Sequence, residues 1–187
     1  MPQAKKEIAC TRSFGRPVTE LHFLVQAVTE FASRAAEKLR KQQGMAGQVL
    51  VYIRTSPFRK DDQQYSRSVT VPLRRPSADT AVLVQSALRG LGSIFLDGFR
   101  YAKAGVMLLD LQSDQLQQGE LDLEDDRMED RSRLMLAMDT LNRRFGKGKV
   151  HLASAGLEGN QRTWSMRQER RTPGYTTCWA DIPIARA

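Results

Sequence analysis

The spacing of apolar and polar positions changes character several times along the chain, and each change predicts an element. From Ile8 to Phe14 the run IACTRSF is short and β-tolerant, and Gly15 and Pro17 stop it, which predicts a strand. Thr19 can then cap a helix whose apolar residues Leu21, Leu24, Val25, Val28, Ala32, Ala35 and Leu39 recur at three and four, with Gly44 and Gly47 closing it. In QVLVYIRT the period drops to two: Val49, Val51 and Ile53 share one face, and Leu50, Tyr52 and Arg54 take the other. After turn chemistry around Pro57, Asp61 and Asp62, Arg67 to Leu73 alternates again, with Ser68, Thr70 and Pro72 opposite Val69, Val71 and Leu73. Ser77 and Asp79 announce a second helix carrying Val84, Leu88, Leu91 and Phe95. YAKAGVMLL then reads as a strand with Tyr101, Lys103, Gly105 and Met107 on one side.

The order βαββαβ specifies an α+β fold: a four-stranded antiparallel sheet with both helices on one face, the ferredoxin-like arrangement. The opposite face is left open. The residues assigned to it are Tyr52, Arg54, Ser68, Thr70, Tyr101 and Lys103, with Arg12, Arg74 and Arg75 nearby. Hydroxyls donate to phosphate oxygens and Lys or Arg supply charge, so this set suits contact with a nucleic-acid backbone.

Past residue 112 the pattern weakens. Residues 113–131 form a linker rich in Gln, Asp and Glu, and residues 132–187 form a small α/β or irregular C-terminal domain. In the latter, RLMLAMDTLNRRFG predicts a helix through Leu134, Met138 and Leu141 that ends at Gly146, and KVHLASAG predicts a strand. Trp164, Tyr175 and Trp179 are expected to build the core of this satellite, with interleaved Arg162, Arg167, Arg170 and Arg171 allowing contact to a single strand.

Charge sharpens the picture. Residues 1–112 carry 17 Lys/Arg against 9 Asp/Glu, residues 113–130 one against eight, and residues 131–187 eleven against four. Two basic segments thus flank an acidic spacer, and the basic balance favours a polyanionic partner through phosphate contacts and counterion release. No run approaches the roughly 20 apolar residues of a bilayer span, and MPQAKKEIAC lacks a secretory core, so a soluble cytoplasmic protein is expected.

Candidate chemistry is sparse. Cys10 and Cys178 have no CxxC spacing and no adjacent histidine, and His22 and His151 lack a nucleophile setting. Asp122, Glu124, Asp125, Asp126 and Glu129 are dense in carboxylate, but consecutive residues without apolar periodicity make a solvated linker rather than a metal site. GKGK at 146–149 lacks the spacing of a phosphate loop. Neither metal nor cofactor is expected.

Six short motifs, SFGRPVT (13–19), RAAEKLR (34–40), TSPF (55–58), YAKAGVML (101–108), MDTLN (138–142) and TPGYTT (172–177), stand in one order along the chain. In this they resemble the C-terminal part of the UmuC-type Y-family translesion DNA polymerases. The resemblance implies that residues 1–112 are a little finger, a βαββαβ domain that holds primer-template duplex during bypass of damaged bases in the SOS response. It also implies that palm, fingers and thumb, with their catalytic carboxylates, precede Met1, so this chain alone is expected to be no enzyme. Related polymerases carry a Gln-Leu-x-Leu-Phe peptide for the sliding clamp. Here Glu120, Leu121, Asp122, Leu123 and Glu124 occupy that place: the leucines remain, while an acid replaces the aromatic anchor, and burying a carboxylate in an apolar pocket is costly. Weak or absent clamp binding is expected. A UmuD-type accessory subunit and the recombinase filament are the other partners implied.

The main alternative is a protein-interaction module docking such partners through the segment beyond Arg131. An RNA-binding βαββαβ domain would place stacking aromatics on a central strand, and Arg67 to Leu73 has none. A small-molecule regulatory domain of the same topology needs no basic face.

Overall fold

The structure, a computed structural model, describes residues 6–114, 131–156, 162, 164–166 and 172–182. Four strands, β1 (Ile8–Val18), β2 (Gly44–Thr55), β3 (Ser66–Ser77) and β4 (Tyr101–Ser113), form one antiparallel sheet in the order β1-β4-β2-β3. β4 is inserted between β1 and β2, and β2 between β3 and β4, so both βαβ units are split. Helices α1 (Leu21–Lys41) and α2 (Thr80–Ile94) cover one face, as the pattern predicts.

The cause is the single stripe each element presents. Leu24, Ala27, Val28, Phe31, Ala32, Ala35 and Leu39 of α1 are buried against Val49, Val51 and Ile53 of β2 and Ala104, Val106 and Leu108 of β4. Each large side chain so buried contributes about 1.5 to 3 kcal/mol. Helix α2 approaches the sheet closely because position 90 is glycine: a Cβ there would lie 3.1 Å from both Val69 Cγ1 and Val71 Cγ2. Asp79 caps this helix, accepting from the Ala81 and Val82 amides at 2.6 and 3.3 Å. The expected Thr19 cap on α1 is absent. The N-cap is Glu20, with no side-chain cap bond, because its carboxylate turns to His22 Nδ1 at 3.2 Å. The chain reversal after α1 falls on Gln43, at φ 55°, while Gly44 already belongs to β2.

Beyond Arg131 the outcome departs further from expectation. Helix α3 (Ser132–Phe145) forms and ends at Gly146, whose φ is 108°. Its one buried residue is Met135; Leu134 and Leu141, expected to face a core, are exposed. The reason is that α3 docks by polar ties. Arg40 holds Asp139 through Nε and Nη2 at 2.8 and 2.7 Å, and its Nη1 donates to Ala78 O and Thr80 Oγ1 at 2.8 and 2.9 Å. The Thr80 amide contacts Met135 Sδ at 3.4 Å.

The predicted strand in KVHLASAG is instead an irregular loop with a 3₁₀ turn at Ala153–Ala155. Asn142 claims its backbone, exchanging two 2.8 Å hydrogen bonds with Val150, and the His151 ring nitrogens each face a carbonyl, Gly148 O and Gly156 O. With those groups taken, no strand ladder forms. Trp164 is fully buried, but in the main core, where its ring meets Phe31 edge-on at 5.8 Å. Tyr175 and Trp179 are exposed, so the three aromatics do not share a core.

Candidate nucleic-acid interface

The cross-strand register assembles the open face row by row. Ser13, Lys103, Arg54 and Ser66 face one another across β1, β4, β2 and β3; the next row is Thr11, Gly105, Tyr52 and Ser68; the next is Ala9, Met107, Leu50 and Thr70. Arg54 and Lys103 are therefore directly opposed on neighbouring strands. Like charges in that position repel by about 0.2 to 1 kcal/mol, so folding alone does not favour the pair. Hydroxyls bracket it on both sides, and Leu50, Tyr52, Arg54, Ser66, Arg67, Ser68 and Lys103 line a shallow depression. The arrangement can bind an anion through two cations and several O–H donors.

Gly105 shapes the middle row. A Cβ there would lie 2.5 Å from Tyr52 Cε1 and 2.6 Å from Thr11 Cγ2, so the Tyr52 ring occupies the space a side chain would need. The ring lies over the sheet beside the cations.

Of the residues expected on this face, Tyr52, Arg54, Ser68, Thr70 and Lys103 are there. Arg74 is exposed and Arg75 half-buried, both on β3 beyond the last regular pair, Gln48 with Pro72. Two assignments are corrected. Tyr101 is buried: consecutive Arg54 and Thr55 pair with Lys103 and Tyr101, two apart, so the extra residue Ala102 reverses the alternation. Its hydroxyl donates to Leu96 O at 2.8 Å and accepts from Leu96 N at 3.1 Å, and burial pushes its phenol above the ordinary range. Arg12 pairs with core-facing Ala104, so it lies on the helix side of β1. Gly105 lies on this face beside Lys103, as the alternation of β4 predicts, whereas Thr11, Ser13 and Ser66 were missed. Extending the alternation of β1 and β3 by parity would have found the three hydroxyls. The clamp-like peptide 120–124 lies outside the described residues.

The impB/mucB/samB family C-terminal domain matches residues 5–121, and a domain of unknown function (DUF4113) matches residues 132–185. The chain belongs to the impB/mucB/samB family. It is 40% identical over 185 residues to Protein ImpB of Salmonella typhimurium, 39% over 181 to Protein UmuC of Salmonella typhimurium and 40% over 186 to Protein MucB of Escherichia coli. These alignments cover 99%, 96% and 98% of this chain, which spans only 43%, 42% and 42% of the relatives' lengths. The UmuC-type resemblance read from the six motifs is thereby confirmed.

Seen in the fold, the impB/mucB/samB motifs divide by task. RAAEKLR and MDTLN supply the two ends of one junction, Arg40 and Asp139. YAKAGVML supplies Tyr101 to the core and Lys103 and Gly105 to the open face. TSPF ends in Phe58, which is 92% exposed. Among the described residues no helix is long and apolar enough to cross a membrane.

Proposed function

We propose that this chain is the DNA-gripping, non-catalytic part of a UmuC-type translesion polymerase, holding primer-template duplex by its sugar-phosphate backbone on the open face of the sheet. The observation that carries this reading is the row Ser13, Lys103, Arg54, Ser66, in which two cations oppose each other without a carboxylate in the row. A phosphate between them offsets a repulsion that the fold leaves standing. Hydroxyls and charges contact backbone rather than base edges, so the grip is independent of sequence, as a polymerase moving along its template requires.

The test is fluorescence anisotropy on primer-template DNA across a salt series. Arg54→Gln with Lys103→Gln lowers affinity about tenfold or more and reduces the log–log salt slope by about 1.8, near 0.9 per phosphate contact. Unchanged slope and affinity would remove the open face from the grip.

A second reading, docking of a UmuD-type subunit or recombinase filament, is favoured by one observation: α3 leaves Leu134, Leu136, Leu141 and Phe145 exposed. Deleting the whole segment beyond Arg131 would strip Trp164 from the core, so point substitutions make the test. Leu136→Asp with Phe145→Asp instead abolishes partner capture while DNA binding persists; capture by the variant at full strength would refute this docking mode.

A further inference from the structure

We infer that the groove between β1, α1 and the segment after Arg131 is a second nucleic-acid site, one that takes single-stranded DNA. The groove is about 800 Å³. That is the scale of a small-ligand site, roughly 300 to 1,000 Å³, and it admits a few nucleotides but no duplex.

Its lining is two-sided. Arg12 from β1 and Arg34, Lys38, Arg40 and Lys41 from α1 form one wall; Met138, Val150, His151 and Ala155 lie on the other. Lys147 and Arg162 complete the cations, seven against the three carboxylates Glu30, Glu37 and Asp139. Each carboxylate is already engaged: Glu30 by Arg34 and Arg162, Glu37 by Lys41, and Asp139 by Arg40. Arg12, Lys38 and Lys147 make no ion pair among the described residues. Lys38 Nζ reaches only the Ala9 carbonyl, at 3.5 Å. Cations on both walls can hold phosphates, and Met138, Val150 and the His151 ring offer unstacked bases a partly apolar surface, as a single strand needs.

Cys10 and Arg12 line the groove from the helix side of β1; Thr11 and Ser13 alternate toward the open side, Thr11 also bordering the groove at the edge of the strand. Edge strand β1 thus stands between the proposed duplex grip and this groove. The ligand class rests on the DNA-handling reading; the surface is a separate one.

Cys10 reports on it, since it lines the groove; burial pushes its thiol above the ordinary range, and the charges of Lys38, Arg34 and Arg12 pull it the other way. In the full chain carrying Cys178→Ser, labelling rates of Cys10 are measured with an anionic and a neutral aromatic disulfide, with and without a short oligothymidylate. The expected result is a preference for the anionic reagent and protection by the oligonucleotide. Arg12→Gln with Lys38→Gln loses both, and lowers the salt slope of oligonucleotide binding by about 1.4, near 0.7 per contact on a single strand. Arg54→Gln with Lys103→Gln keeps the protection even where duplex affinity falls, which separates this site from the open face. Labelling indifferent to saturating oligonucleotide would overturn the inference. So would protection that survives Arg12→Gln with Lys38→Gln, or anionic labelling that responds only to neutralising Asp122, Glu124 and Asp125, which would make the chain's own acidic segment the occupant.

Discussion

Ile53 and Arg54 are neighbours in β2 with opposite situations. Ile53 is fully buried under the helices, while Arg54 stands exposed opposite a second cation. The helix-covered face is organised by packing, and its buried apolar positions lower the free energy of the fold. The open face is organised by register, and its central pair works against the fold. A surface that retains an electrostatic cost is the kind on which a bound anion would relieve it, as proposed above.

Four substitutions put that contrast under strain, in descending order of effect. Ile53→Ala removes buried aliphatic bulk and costs about 2 to 5 kcal/mol in chemical denaturation, with DNA affinity per folded molecule unchanged. Asp139→Ala removes two of the four hydrogen bonds of the half-buried Arg40 side chain, with its counter-charge, and costs about 1.5 to 3 kcal/mol. If α3 belongs to the helix-covered side alone, open-face binding is again unaffected. Gly105→Ala crosses the divide: the methyl group meets the Tyr52 ring, at a cost of about 1 to 3 kcal/mol. Its double variant with Tyr52→Ala recovers part of that stability, the contact with Thr11 Cγ2 remaining, without recovering DNA affinity. Lys103→Ser reverses the sign, raising stability by about 0.2 to 1 kcal/mol while weakening DNA binding. A Lys103→Ser protein that loses stability would mean the pair is not strained, and the contrast between the faces would fall.

Much of the first half of the molecule was legible because each stripe there has one destination. The 3.6 and 2.0 periods of α1, β2 and β3 survive intact because a continuous sheet and helix layer receives them. Tyr101 was misplaced because one inserted residue, Ala102, inverts parity, and no local spacing announces a bulge whose cause is the partner strand. Arg12 was legible by parity, since it alternates with Thr11 and Ser13 and shares its side with Ile8 and Cys10; its charge, rather than its place in the alternation, set it with the open face. Beyond Arg131 the signal was misleading. Leu134 and Leu141 imply a core-facing stripe, yet α3 is placed by Asp139, Met135 and Asn142, whose partners lie up to 99 residues away. Hydrogen bonds at that separation leave no periodic trace.

The sheet order leaves β1 and β3 at the borders, each with one row of backbone groups unpaired within the sheet. Pro17 in β1 and Pro72 and Pro76 in β3 have no amide hydrogen to offer a visiting strand. Open stretches of such borders invite neighbouring copies to zip together into larger sheets. Prolines at both borders oppose that growth, so the strands that frame the open face also guard against self-aggregation.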